Sequence, residues 1–243
     1  LKLVVWFNNN ASGDSARGVR YSGLMKREDD YLIPTITVED QWLLLNDNEP
    51  SRFIQEVTGK IAFEDDDGIR LHAGEIHLFV VDVEGATSER EDAFAVFDTH
   101  RDTMRCFEAL YETDGFGSVQ LKESVDKLLD MEGLWRPNVL LLDRLTILPK
   151  FRNHGLGLEV LRRAILRYRI GTGIVALYPF PLQFEGRPKA EEKASLGLSE
   201  FTCSMDYAKR KLRRHYGKLG FKLHRPSGYM VMNSEMPIEG RRI

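Results

Sequence analysis

The 243-residue chain, with 42% hydrophobic side chains and a net charge of −3, has enough apolar material for one large domain or two small ones, and it excludes a mainly disordered segment. Its two cysteines, Cys106 and Cys203, lie far apart without metal or redox spacing, which excludes a disulfide framework and favours a reducing compartment. The opening Leu1–Phe7 is too short for a signal-peptide core and no later stretch is apolar for long enough to span a bilayer, so a cytoplasmic protein is expected.

The small net charge hides an asymmetry. Residues 1–138 carry 28 acidic against 14 basic side chains, and residues 139–243 carry 9 against 20. The two halves are expected to present opposite fields, or else to pair their charges across one surface. A basic half suits a polyanionic ligand; an acidic half suits the path of a cationic one.

In chain order, Leu3–Phe7 and Ile33–Val38 predict short strands, with a turn cluster at Asn8–Gly13. Phe53–Phe63 alternates loosely around Gly59 and predicts another strand. The acidic run Glu64–Gly68 invites a calcium loop, but Gly68 takes the sixth position only if the ligands start at Phe63 and end at Gly74. A hairpin turn is expected instead. Gly74–Val83, with Ile76, Leu78, Phe79, Val80 and Val81, predicts a buried strand. His72 and His77, five apart, are expected on opposite faces and so form no metal pair. Arg101–Thr113, with Met104, Phe107 and Leu110 or Tyr111 inward, and Gln120–Met131, with Leu121, Val125 and Leu128 inward, predict two amphipathic helices. They make residues 84–138 a helical insertion, either capping an acceptor site or covering core.

The densest signal follows. Val139–Leu148 is an apolar run stopped by Pro149, and Arg152-Asn153-His154-Gly155-Leu156-Gly157 opens a helix whose Leu158, Leu161, Ile165 and Tyr168 share a face. Strand, glycine turn and helix form a phosphate-binding arrangement, because first-turn N–H groups lack intrahelical partners and Gly155 and Gly157 let an anion approach the backbone. Ile174–Tyr178 predicts the next strand, and residues 182–206 a long mixed loop. A helix from Tyr207 to Leu219, with Ala208, Leu212, Tyr216 and Leu219 on one face, is followed by paired strands at Phe221–Leu223 and Tyr229–Met232.

These residues resemble the GNAT superfamily of N-acetyltransferases. The likeness rests on Arg152, Gly155 and Gly157 behind Ile147-Leu148-Pro149, matching the family's Gln/Arg-x-x-Gly-x-Gly/Ala signature, and on Tyr216-Gly-Lys-Leu-Gly-Phe221, matching its Tyr-x-x-Leu-Gly-Phe ending. It covers about residues 139–232. The resemblance implies a single α/β domain of the acyl-CoA N-acyltransferase fold over residues 1–243, with a mixed, twisted and splayed sheet flanked by helices and a cofactor-binding core at 139–232. It also implies acetyl-coenzyme A as cofactor, bound by Leu145, Ile147, Arg152, Asn153, His154, Gly155, Leu156 and Gly157, and direct acetyl transfer to an amine. An oxyanion donor is expected at a strand bulge near Leu145 to Ile147. Tyr216 is the implied proton donor to the coenzyme A sulfur, against a packed core tyrosine. Asp143, expected to share a face with Leu145 and Ile147, is the implied base, against a carboxylate in an ion pair. Where the family often has Asn seven residues before the tyrosine, this chain has Lys209.

The acceptor is then a small-molecule or peptide amine, expected to be cationic from the acidic first half. A non-catalytic acyl-coenzyme A-binding regulatory module is the alternative. Nucleic-acid binding through Arg162, Arg163, Arg167, Arg169 and Lys209–Arg214 is the weaker reading, because aromatic interleaving is sparse. No membrane and no metal are expected.

Overall fold

A computed structural model describes residues 2–3, 33–40, 49–64, 70–114, 118–131, 136–186 and 190–238. The turn cluster at 8–13 and most of the acidic run at 64–68 lie outside the described residues. Within them the chain is an α/β protein built on one mixed sheet. Its strands are β1 (Lys2–Leu3), β2 (Ile33–Asp40), β3 (Ile54–Glu64), β4 (Arg70–Val81), β7 (Val139–Ile147), β8 (Ile174–Leu177), β9 (Lys222–Leu223) and β10 (Met230–Asn233). Seven of them run in the order β2-β3-β4-β7-β8-β10-β9. The pair β7 and β8 is parallel and the other neighbours along this order are antiparallel.

Antiparallel neighbours need only a turn, whereas a parallel pair needs a crossover, here helix α5 (Leu156–Tyr168). It packs Val160, Leu161, Ala164 and Ile165 on one face of the sheet, beside Leu212 and Tyr216 of α7 (Met205–Gly217). Their core partners on β7 are Leu140, Leu142, Leu145 and Ile147. Strand β8 is buried at all four positions, as a central strand covered on both faces must be.

The opposite face carries the segment between β4 and β7. It holds helices α1 (Val83–Ser88), α2 (Ala93–Asp98), α3 (Arg101–Leu110) and α4 (Glu123–Leu129), with a two-stranded hairpin, β5 (Tyr111–Thr113) and β6 (Val119–Leu121), between α3 and α4. The hairpin replaces the expected ends of the two helices. Leu110 and Tyr111 are both buried because the chain changes from helix to strand between them. Phe97, Cys106, Phe107, Leu110 and Tyr111 meet Val139, Leu141 and Val231 in a second core. Asn138, itself buried, accepts from the Glu84 N–H and donates to the Gly171 carbonyl, tying the start of the insertion to β7. Within residues 182–206 the chain forms helix α6 (Ala190–Ser195) and short 3-10 turns at Leu182–Phe184 and Leu198–Glu200.

Two one-residue insertions break the register. On β4, Ala73 is the extra residue opposite Ile61 and Ala62. His72 therefore lies beside Glu75, at 3.9 Å, and on the face of His77 rather than the opposite one. On β7, His77 pairs with Arg144 and Leu78 with Leu142, which leaves Asp143 as a bulge.

Candidate functional site

Strand β8 accompanies β7 only from Val139 to Leu142. Beyond Leu142 the two part, and the freed edge of β7 at Arg144 and Leu145 is taken by the backbone of Lys2 and Leu3 in parallel register. The parting coincides with the bulge. An inserted residue increases local twist and reverses side-chain parity beyond it, so Leu145 and Ile147, which an unbroken strand would put on the face of Asp143, turn to the α5 side. Asp143 stays on the face of Val139 and Leu141, toward the helical insertion. The bulge thus lies two residues before the expected stretch from Leu145 to Ile147.

At the bulge the Asp143 carboxylate meets the His77 imidazole of β4, with Oδ2 and Nδ1 2.7 Å apart. The other ring nitrogen, Nε2, lies 2.7 Å from Oε1 of Glu56 on β3. Side-chain exposure rises along the chain from 10% at Asp143 through 23% at His77 to 50% at Glu56. Ionised carboxylates only accept, so both bonds are made together when His77 carries two N–H groups. Burial pulls the His77 pKa down, but the hydrogen bonds and charges of Asp143 and Glu56 outweigh it and leave it above the ordinary histidine value. The ring stands edge-on to Phe79, with centroids 4.7 Å apart. Sequence reading passes over His77 and Glu56 as site residues; the available signal is one histidine inside the apolar run Ile76–Val81.

The glycine turn forms at the other end of β7. Pro149–Phe151 make a 3-10 turn, Asn153 (φ 67°) and Gly155 (φ 79°) adopt left-handed backbone, and α5 starts at Leu156 with no side-chain cap. Among the described residues, a Cβ on Gly155 would meet nothing within 4 Å, so they leave the ground before the helix open. Asn153 and Gly155 are exposed, His154 is half-buried, and Leu156 and Gly157 are buried. Leu145 and Ile147 send their side chains into the core. Arg152 does not face the open ground: it is buried, Nε donating to the Ile147 carbonyl (2.7 Å) and a terminal nitrogen to the Leu196 carbonyl (2.7 Å). Its role here is to fasten the end of β7 to the segment after α6.

Tyr216 is fully buried within the α5 and α7 core, and its hydroxyl has no hydrogen-bond partner among the described residues. Burial pushes its phenol well above the usual tyrosine range, so the group keeps its proton. A buried hydroxyl left without a partner costs about 1–3 kcal/mol, which a bound acceptor atom would recover. Lys209 lies over the Phe180 ring, 5.5 Å from its centroid. Several basic side chains are already engaged: Arg162 and Arg163 with Glu159 (2.8 and 2.7 Å), and Arg169 with the carbonyls of Ser234 and Met236.

Among the described residues no cluster of His, Cys, Asp or Glu has metal-binding geometry, and no helix is long and apolar enough to cross a membrane. No family model, curated protein or solved structure matches the chain.

Proposed function

We propose that the chain is an acetyl-coenzyme A-dependent N-acetyltransferase of the GNAT fold, acting on an amine acceptor. The observation that carries this reading is the parting of the parallel strands β7 and β8 at Asp143, beside a carboxylate-imidazole-carboxylate chain and followed directly by the glycine-opened helix α5. The strand order with one parallel pair at its centre, and the order of the glycine turn and Tyr216 along the chain, support it further.

Two features among the described residues fit the cofactor: open ground before the uncapped N-terminus of α5, and a buried phenol lacking an acceptor. The N–H groups of the first turn, from Leu156 and Gly157 onward, suit the diphosphate, with Asn153, His154 and Gly155 around them. The edge of β7 at Leu145 to Ile147 suits the pantetheine amides, once Lys2 and Leu3 yield their part of it. When bound, the cofactor supplies an acetyl group activated as a thioester.

The chain's own residues handle the protons. An alkyl ammonium with a pKa near ~10.4 must lose a proton before it can attack. Asp143 accepts that proton, and the imidazolium of His77 releases its Nε2 proton to Glu56, which gives it to water. Tyr216 holds its proton at the phenol oxygen for the departing sulfur. Arg144 and Glu185, joined at 3.1 Å, fix the strand beside the bulge.

Calorimetric titration with acetyl-coenzyme A, followed by an amine screen monitored through released thiol, tests the reading. Binding with turnover supports it. Binding without turnover of any amine favours the regulatory module, and no binding removes both.

A further inference from the structure

A pocket of about 710 Å³ opens on the insertion side of the sheet, a volume that suits a small organic ligand. One wall is α3, from which Arg101 and Arg105 both line it. His224, Pro226 and Ser227, between β9 and β10, line it too, as do the aromatic Tyr178, Phe180 and Tyr229. The Tyr178 and Tyr229 rings lie 5.2 Å apart between centroids.

The charges in the pocket are unequal. Arg101, Arg105 and Lys122 line it against two carboxylates, Glu108 and Glu185, and Glu185 already accepts from Arg144 at 3.1 and 3.3 Å. Arg101 has no ion-pair partner among the described residues, and Arg105 has a loose one, Asp102, at 3.7 Å. Their spacing of four puts both guanidinium groups on the same stripe of the helix, suited to the oxygens of one carboxylate or phosphate. His224 adds no charge. Burial and the nearby Lys122 lower its pKa, and its ring nitrogens sit on the hydroxyls of Ser227 (2.7 Å) and Ser124 (3.0 Å).

One lining residue leads toward the bulge: Glu185 pairs with Arg144, the chain neighbour of Asp143. We infer that the pocket between α3 and the β9–β10 turn seats the acceptor, and that this acceptor carries a carboxylate or phosphate on an apolar or aromatic body, its anion held by Arg101 and Arg105. This rests on the acetyl-transfer reading only for the word acceptor; the binding preference stands on the pocket itself.

The test titrates the full chain with L-phenylalanine, phenyl phosphate and 2-phenylethylamine, which share a ring and differ in the anion. The two anionic probes separate carboxylate from phosphate preference, and at least one should bind about tenfold or more tighter than 2-phenylethylamine. Arg101→Gln with Arg105→Gln should remove that advantage while leaving coenzyme A affinity and the melting temperature unchanged, since both side chains are on the surface. Equal binding of 2-phenylethylamine, no binding of either anionic probe, or an advantage that survives both substitutions overturns the inference. Failure of coenzyme A to bind while the anionic probes behave as stated overturns the acetyl-transfer reading and leaves the pocket assignment standing.

Discussion

His77 Nδ1 and Asp143 Oδ2 are 2.7 Å apart across the β4–β7 pairing, where the one extra residue of β7 sets Asp143 and Arg144 together opposite the histidine. If the pair and Glu56 carry the acceptor's proton, Asp143→Asn and His77→Gln should each lower turnover by roughly 10²–10⁴-fold with coenzyme A affinity intact. Steady-state rates with calorimetry on the same samples check this. Loss of both rate and affinity would place the pair in the sheet's support instead.

The raised pKa of His77 also sets a direction for stability. A histidine that holds its proton more tightly folded than unfolded stabilises fully below its ordinary pKa near 6.5, and that contribution fades as pH rises through the folded value. His77→Gln should therefore be most costly below about pH 6.5 and least costly in mild alkali. Urea midpoints of both proteins across pH 5 to about 9 would show it.

His215 works the other way. It is one of the buried residues of α7, where desolvation and then Lys218 depress its pKa to about 3. The unfolded chain binds a proton below about 6.5 that the folded chain refuses, so stability should fall by up to about 1.4 kcal/mol for each unit of pH from there toward 3. His215→Phe should flatten that acid limb, as read by melting temperature against pH.

Tyr216→Phe separates packing from proton donation. Removing a buried hydroxyl that has no partner among the described residues should leave the fold as stable as before or up to about 1–3 kcal/mol more so. Turnover should nevertheless drop roughly 10²–10⁴-fold if the phenol serves the departing thiolate. An unchanged rate would reduce Tyr216 to a core residue.

Gly155→Val tests the turn before α5. Its Cβ would meet nothing within 4 Å among the described residues, so the cost there comes from a left-handed φ of 79° that a β-branched residue tolerates poorly. Coenzyme A binding should be lost while the protein remains folded by circular dichroism and calorimetry.

The central unit was legible in the sequence because its signals are local. Pro149 ends the strand, Gly155 takes the left-handed position before the helix, and a run from Val139 to Leu142 free of polar residues marks a strand covered on both faces. The chain at Asp143 was not legible, since a bulge is a property of pairing between β4 and β7 and leaves no mark on either segment alone. His77 and Glu56 are 21 residues apart, and His77 and Asp143 66 apart, and only the sheet brings them together. Helices α1 and α2, six residues each, are too short for a helical period to register. Arg152 fits the signature by type, yet its guanidinium is turned to backbone carbonyls, a choice that depends on the distant Leu196.

Removing Asp143 from the sequence leaves Leu140, Leu142, Leu145 and Ile147 at every second place, the same four residues that face α5 and α7 now. The strand is therefore an ordinary alternation with one residue spliced into it, and the core never depended on the splice. Excising that single residue should let β4 and β7 zip in unbroken register, with every apolar side chain keeping its face. Such a chain should melt within a few degrees of the parent and yet lack the carboxylate, the kink and, on the acetyl-transfer proposal, the turnover that depends on them. The scaffold and its chemistry are, at this position, separable by one codon.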